Sequence, residues 1–159
     1  PGAEGGLNIE GIAWDPAHET LLLGLRSPLL DEQALLVPLR LRDPRGAFSR
    51  ENLVVRDPQP IRLNLGGLGI RDIQYDTRLK SFLIISGATE LQKKTDFKLW
   101  VWAGDADPAN AGSTPGEEAT LDREMKPEGA AHVRIGGKDF IFVVGDASRY
   151  LKLDYVAGQ

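Results

Sequence analysis

Short runs of alternating apolar and polar residues, each closed by Gly, Pro, Asn or Asp, follow one another along this chain and read as strands. Asn8 to Asp15 alternates as a half-buried strand does, and Asp15-Pro16-Ala17-His18 supplies a turn into a second strand. Thr20 to Ser27 is a nearly continuous apolar run, which predicts a strand covered on both faces and broken at Ser27-Pro28. Gln33 to Arg42 predicts a third strand, more exposed because Leu39-Arg40-Leu41-Arg42 alternates, with Pro38 favouring an edge or a bulge. After Asp43-Pro44-Arg45-Gly46 and a polar excursion, Ile61 to Leu65 alternates and ends at Gly66-Gly67, giving a fourth.

This order returns. Moved by 61 positions, Leu7 to Asp15 meets Leu68 to Asp76, keeping Leu, both Ile and Asp and exchanging Trp14 for Tyr75. A third copy 57 positions later, Met125 to Ala131, keeps the Glu-Gly pair as Glu128-Gly129. Downstream, Leu21 to Leu25 falls on Phe82 to Ser86 and, with one insertion, on Phe140 to Val144. The second unit then holds Ile70 to Asp76, Ser81 to Ser86, Lys98 to Trp102 and a weak Thr120 to Arg123, with Asp105 to Glu118 read as a surface loop. The third holds Gly129 to Ile135, a turn at Gly136-Gly137-Lys138, Phe140 to Val144 and Tyr150 to Val156, and stops before a fourth strand.

Repetition of four strands predicts an all-β, β-propeller-like fold of about three four-stranded antiparallel blades, the repeat-motif strand innermost in each. The blades are expected near residues 8–66, 68–124 and 126–157 of a single partial propeller domain over 1–159. A two-sheet sandwich also has many short strands, but nothing in it requires one nine-residue pattern to recur before the same hairpin. Propellers close with about four to eight blades, so three leave open flanks. The apolar runs Leu21 to Leu25 and Phe140 to Val144 would lie exposed there. Either a missing N-terminal half of the polypeptide covers them, or a second copy does, two copies meeting flank to flank in an isologous homodimer that closes a six-bladed ring.

Composition narrows the function classes. At 159 residues and 42% apolar content the chain can bury an ordinary core, yet no apolar run reaches the length of a membrane span. A soluble protein is expected, and a membrane partner is not. A net charge of −4, with 19 basic and 23 acidic residues dispersed, supplies no basic stripe for nucleic acid. The absence of cysteine removes disulfides, thiolate metal sites and cysteine nucleophiles, and leaves localisation open. Pro1 to Gly6 has neither the basic start nor the apolar core of a signal peptide and lacks an initiating Met, as a processed chain or an excised piece would.

Asn8-Ile9-Glu10-Gly11-Ile12-Ala13-Trp14-Asp15-Pro16, Leu22-Leu23-Gly24-Leu25-Arg26-Ser27-Pro28-Leu29 and Lys126-Pro127-Glu128-Gly129 together resemble the bacterial domain of unknown function family 3616. The Leu-Arg-Ser-Pro-Leu run is the more specific motif; Glu-Gly-Ile-Ala-Trp-Asp-Pro is also similar to esterase-like phytases and gluconolactonase-type calcium propellers. The resemblance covers essentially the whole chain and the C-terminal half of a typical member, and it implies a propeller-like protein of roughly double the length. That family has no established activity, so the resemblance implies fold rather than function.

In an up-and-down blade, the start of the first strand, the end of the second and the start of the third share one end. That end gathers Asn8, Glu10, Arg26, Ser27, Arg71, Asp72, Glu128, Asp146, Ser148 and Arg149. Asn8, Glu10, Glu128 and Asp146 offer hard oxygen ligands of the kind Ca²⁺ prefers, and the similarity to gluconolactonase-type propellers implies the same for the Glu of Glu-Gly. Arg71 stands at the equivalent middle position, where a cation opposes a cation site. Glu10, Arg71 and Glu128 can instead pair across blades as structural salt bridges. Arg26, Arg71 and Arg149, with Asp72 beside them, are candidate ligand-binding residues, since guanidinium forks match phosphate or carboxylate oxygens. His18 and His132 lack the partners of a catalytic triad. Trp14, Tyr75, Trp100 and Trp102 read as packing between blades, or as the lining of a cleft.

Two functions follow: a binding or scaffold module without chemistry of its own, or a calcium-assisted hydrolase of an ester, lactone or phosphate. In the second, Glu10, Glu128 and Asp146 hold the ion and Arg26 steadies the anion.

Overall fold

A computed structural model of the chain describes residues 6–89, 97–104, 115–146 and 148–155. The protein is all-β. Its first sheet holds β1 (Asn8–Asp15), β2 (Thr20–Leu30), β3 (Gln33–Leu41), β4 (Leu53–Val55) and β5 (Ile61–Leu63). The second holds β6 (Gly69–Asp76), β7 (Ser81–Gly87), β8 (Phe97–Trp102) and β9 (Gly116–Leu121), and the third β10 (Pro127–Ile135), β11 (Lys138–Gly145) and β12 (Tyr150–Asp154). All pairings are antiparallel between neighbours, and β6 lies against both β1 and β10. Three open sheets stacked along their repeat-motif strands are consistent with a partial propeller-like arrangement.

The repeated Asp closes each of the first two hairpins by the same device. Asp15 Oδ1 accepts from the backbone N–H groups of Ala17 and His18, and Asp76 Oδ1 from those of Arg78 and Leu79. The third hairpin has no such Asp because it turns in two residues, Gly136 and Gly137, at φ of 58° and 80°, a tight turn that glycine alone takes without strain.

Several expectations need correction. β2 does not end at Ser27-Pro28; it continues to Leu30 through a register shift that follows Leu25. Nor is β2 the strand covered on both faces. That strand is β7, whose residues from Phe82 to Gly87 are all buried because sheets lie on either side of it. The fourth strand of the first sheet is split: β4 pairs with Leu39–Leu41 and β5 with Ala34–Leu36, both on the outer edge of β3. The interruption faces Pro38, whose carbonyl accepts from Arg56 N–H at 2.8 Å and whose missing N–H points the same way, so a continuous strand could not have been bonded there. β9 begins at Gly116, inside the expected loop, and Arg123–Met125 is a 3₁₀ turn capped by Asp122 rather than strand. Residues 105–114 of that loop lie outside the described residues.

Two cores hold the stack. Ala13, Leu22, Leu36 and Leu65 of the first unit meet Ile70, Ile73, Phe82 and Trp102 of the second. On the other side, Leu83, Ile85 and Leu99 meet Ala130, Ile141 and Val143 of the third. Of the aromatics expected to pack between blades, Trp100 and Trp102 lie in the core between the first and second sheets and Tyr75 packs against it, whereas Trp14 faces outward. Within the second sheet the Phe82 ring links Tyr75 and Trp102 at centroid distances of 5.2 and 5.1 Å.

Candidate functional site

Glu10, Arg71 and Glu128 occupy one repeat position, just before the glycine or its equivalent. In all three sheets the register shifts there, which turns the extra residue towards the shared end of the stack. The structure brings the three together. Arg71, only 11% exposed, sits in the middle, its Nη2 bonded to Glu128 Oε1 and its Nη1 3.8 Å from Glu10 Oε2. Arg71 Nε donates to Pro127 O at 3.3 Å, and its guanidinium lies over the Phe97 ring at 5.4 Å.

Arg26 extends the chain of charges. Its Nη1 donates to Glu10 Oε1 at 2.9 Å, and its Nε reaches across to Ala88 O of the second unit at 3.0 Å. Asn8 Nδ2 donates to the same Glu10 oxygen at 3.3 Å. Arg26, Glu10, Arg71 and Glu128 therefore alternate in sign across all three sheets. Glu10 Oε2 is buried with no hydrogen bond of its own, and the nearby Arg71 guanidinium is what keeps its charge tolerable.

Asp72 faces the third sheet and accepts from Ala130 N–H at 2.8 Å. Burial pushes its carboxyl above the usual aspartate value, against the opposing pull of the Ala130 and Ile73 N–H groups. A raised pKa means that the folded state holds the proton more tightly than the unfolded chain does. The ionised carboxylate is thus a cost near neutral pH, one that fades as pH falls through the folded value. Asp72→Asn keeps an acceptor for Ala130 and discards the charge. Urea unfolding should show it slightly more stable than the wild type at pH 7, with the difference gone at low pH.

Asp146 and Arg149 stand apart from this chain of charges. Asp146 lies in the turn after β11, its carboxylate 3.9 Å from Lys126 Nζ with both side chains well exposed, and Arg149 closes that turn through its backbone. Among the described residues no group of three or more His, Cys, Asp or Glu is placed to hold a metal ion. The clustered residues available to a ligand are Arg26, Arg71, Glu10 and Glu128, each already partnered.

The opposite end carries features that the sequence did not single out. Asp76 Oδ2 accepts from the Tyr155 hydroxyl, and burial, reinforced by Asp76, pushes that phenol well above the tyrosine range. Arg78 spans 2.7 Å to Asp139 and lies over the Tyr155 ring, while His132 bonds Asp139 at 2.9 Å. Beside them a cleft of about 430 Å³ separates the second and third sheets, walled by Leu79, Leu99, Val101, Ile141 and Leu153. His18 bonds Asp15 at 2.7 Å within its own turn. Each histidine thus serves a local aspartate. The one sequence signal for this end was the recurrence of Asp15 at Asp76; Tyr155 carries no motif.

Among the described residues no helix is long and apolar enough to cross a membrane. A family model described as a protein of unknown function (DUF3616) matches residues 1–149. No curated protein matches the chain.

Proposed function

Since 149 of its residues fall within that family model, the chain belongs to the DUF3616 family of proteins of unknown function, and we propose that it acts as a binding or scaffold module. The observation that carries this reading is the placement of apolar surface. Ile12, Trp14 and Val55 on the outer face of the first sheet, and Val144 and Tyr150 on that of the third, are each about half exposed or more. Faces of this kind mark surfaces for a partner. The charged end, by contrast, is occupied with itself and serves as a clasp between the sheets.

The alternative, calcium-assisted hydrolysis of an ester, lactone or phosphate, requires Glu10 and Glu128 to release Arg71 and requires Asp146 to join them. A cation entering there meets Arg71 first, a repulsion that opposes binding. Calorimetric titration of the 159-residue chain with CaCl₂ at millimolar concentration should give no saturable heat. A saturable one-to-one heat that disappears in Glu10→Gln would overturn the module reading in favour of the hydrolase.

A further inference from the structure

The three sheets share one register, so positions can be matched between them. Ile12 pairs with Leu23 and Trp14 with Leu21 in the first sheet, as Ile73 pairs with Ile84 and Tyr75 with Phe82 in the second. In the second sheet this set, which we call the rear set, is buried under the first sheet: Ile73, Phe82 and Ile84 share a core with Ala13, Leu22 and Leu36. In the third sheet the matching Ala130, Ile141 and Val143 are buried under Leu83, Ile85 and Leu99 of the second. Each sheet thus receives its predecessor on the same positions. On the first sheet those positions have no cover among the described residues, leaving Ile12 58% and Trp14 53% exposed.

The other half of each junction is also matched. Leu22 opposite Ala13 and Leu83 opposite Gln74 form the front set, and Phe142 opposite Ala131 is their counterpart in the third sheet. The pair Ile85 and Leu99, buried in the second sheet, has its counterpart in Val144 and Tyr150, which are 49% and 66% exposed. Phe142 and Tyr150 are already stacked, with ring centroids 5.1 Å apart, as a preformed apolar platform.

Among the described residues one chain therefore carries an uncovered rear face and an uncovered front face, the two halves of the junction it makes twice internally. We propose that the rear face of the first sheet receives the front face of the third sheet of a second copy of this chain, and that two such joints close a ring of six sheets. The contact is head to tail within each joint, with the two joints related by a two-fold axis, and six lies inside the range of about four to eight at which such rings close. An isologous contact would set rear face on rear face, a packing that neither internal junction uses. The inference rests on the binding-module reading and names its partner.

Sedimentation of the 159-residue chain at micromolar concentration should give one species of twice the 17.4 kDa chain mass. Trp14→Glu and Tyr150→Glu are both surface changes whose folding circular dichroism can verify, and each alone should weaken association by at least about 30-fold. Mixing the two variants should restore a pair, because the first retains a good front face and the second a good rear face, so one intact joint forms. A monomer would overturn the proposal and assign both faces to another segment of polypeptide. Association that survives either substitution, or that the mixture fails to restore, would also overturn it, as would growth into longer assemblies. None of these outcomes touches the calcium titration, on which the module reading stands or falls separately.

Discussion

Replacing Arg71 with Met should lower the stability of the chain by about 3 kcal/mol, a fall in Tm of roughly 6–12 °C for a domain of this size. Met preserves much of the stem that packs beside Phe97 and Gly87, so the loss reports on the guanidinium rather than on a cavity. Without it, Glu10 retains Arg26 on Oε1 but leaves Oε2 buried and unanswered, while Glu128 loses its partner and Pro127 O its donor. The penalty is that of stranding a partly buried carboxylate, which exceeds what an exposed ion pair contributes. Glu128→Gln, at a side chain 44% exposed, should cost well under half as much. Chemical unfolding of both variants beside the wild type orders the effects.

Gly69→Ala is expected to be at least as damaging, about 3 kcal/mol or more. A Cβ at Gly69 would lie 2.0 Å from the carbonyl oxygen of Arg26 and 2.8 Å from its carbonyl carbon. Both are backbone atoms, so neither can rotate aside; the first and second sheets would have to separate at the point where Arg26 reaches Glu10 and Ala88. Gly145 is similarly tight, a Cβ there lying 2.1 Å from Met125 O, whereas at Gly129 the nearest atom is at an ordinary 3.5 Å. Gly129→Ala is therefore the control and should cost far less. Thermal unfolding of the two alanine variants checks the contrast.

What could be read from the chain was what local pattern determines. The strand-turn-strand units at Asn8, Ile70 and Gly129 show as alternation followed by turn residues, and their spacing revealed the stacked sheets because the same bulged position recurs as Glu10, Arg71 and Glu128. Arg71 at an otherwise acidic position was readable as a partner for both glutamates. Contacts between distant residues with no shared motif were not readable. The split into β4 and β5 depends on the hydrogen-bonding direction of Pro38, which sequence does not disclose. Arg26 bonds Ala88, a residue whose backbone alone participates, and Tyr155 finds Asp76 across 79 positions through the packing of two sheets. Asp146 was grouped with the glutamates by its place at the end of β11, but the turn there carries it outward towards Lys126.

If the charged end is a clasp joining the sheets, Glu10 and Arg71 are energetically coupled, and a double-mutant cycle on the two measures that coupling. Glu10→Gln, Arg71→Met and the double variant would be unfolded in urea with and without millimolar Ca²⁺. A clasp predicts that the double variant loses less than the sum of the two single losses, by about 1–2 kcal/mol, and that calcium changes none of the four stabilities. Additive losses, with a wild-type chain that calcium stabilises and a Glu10→Gln chain that it does not, would contradict the account.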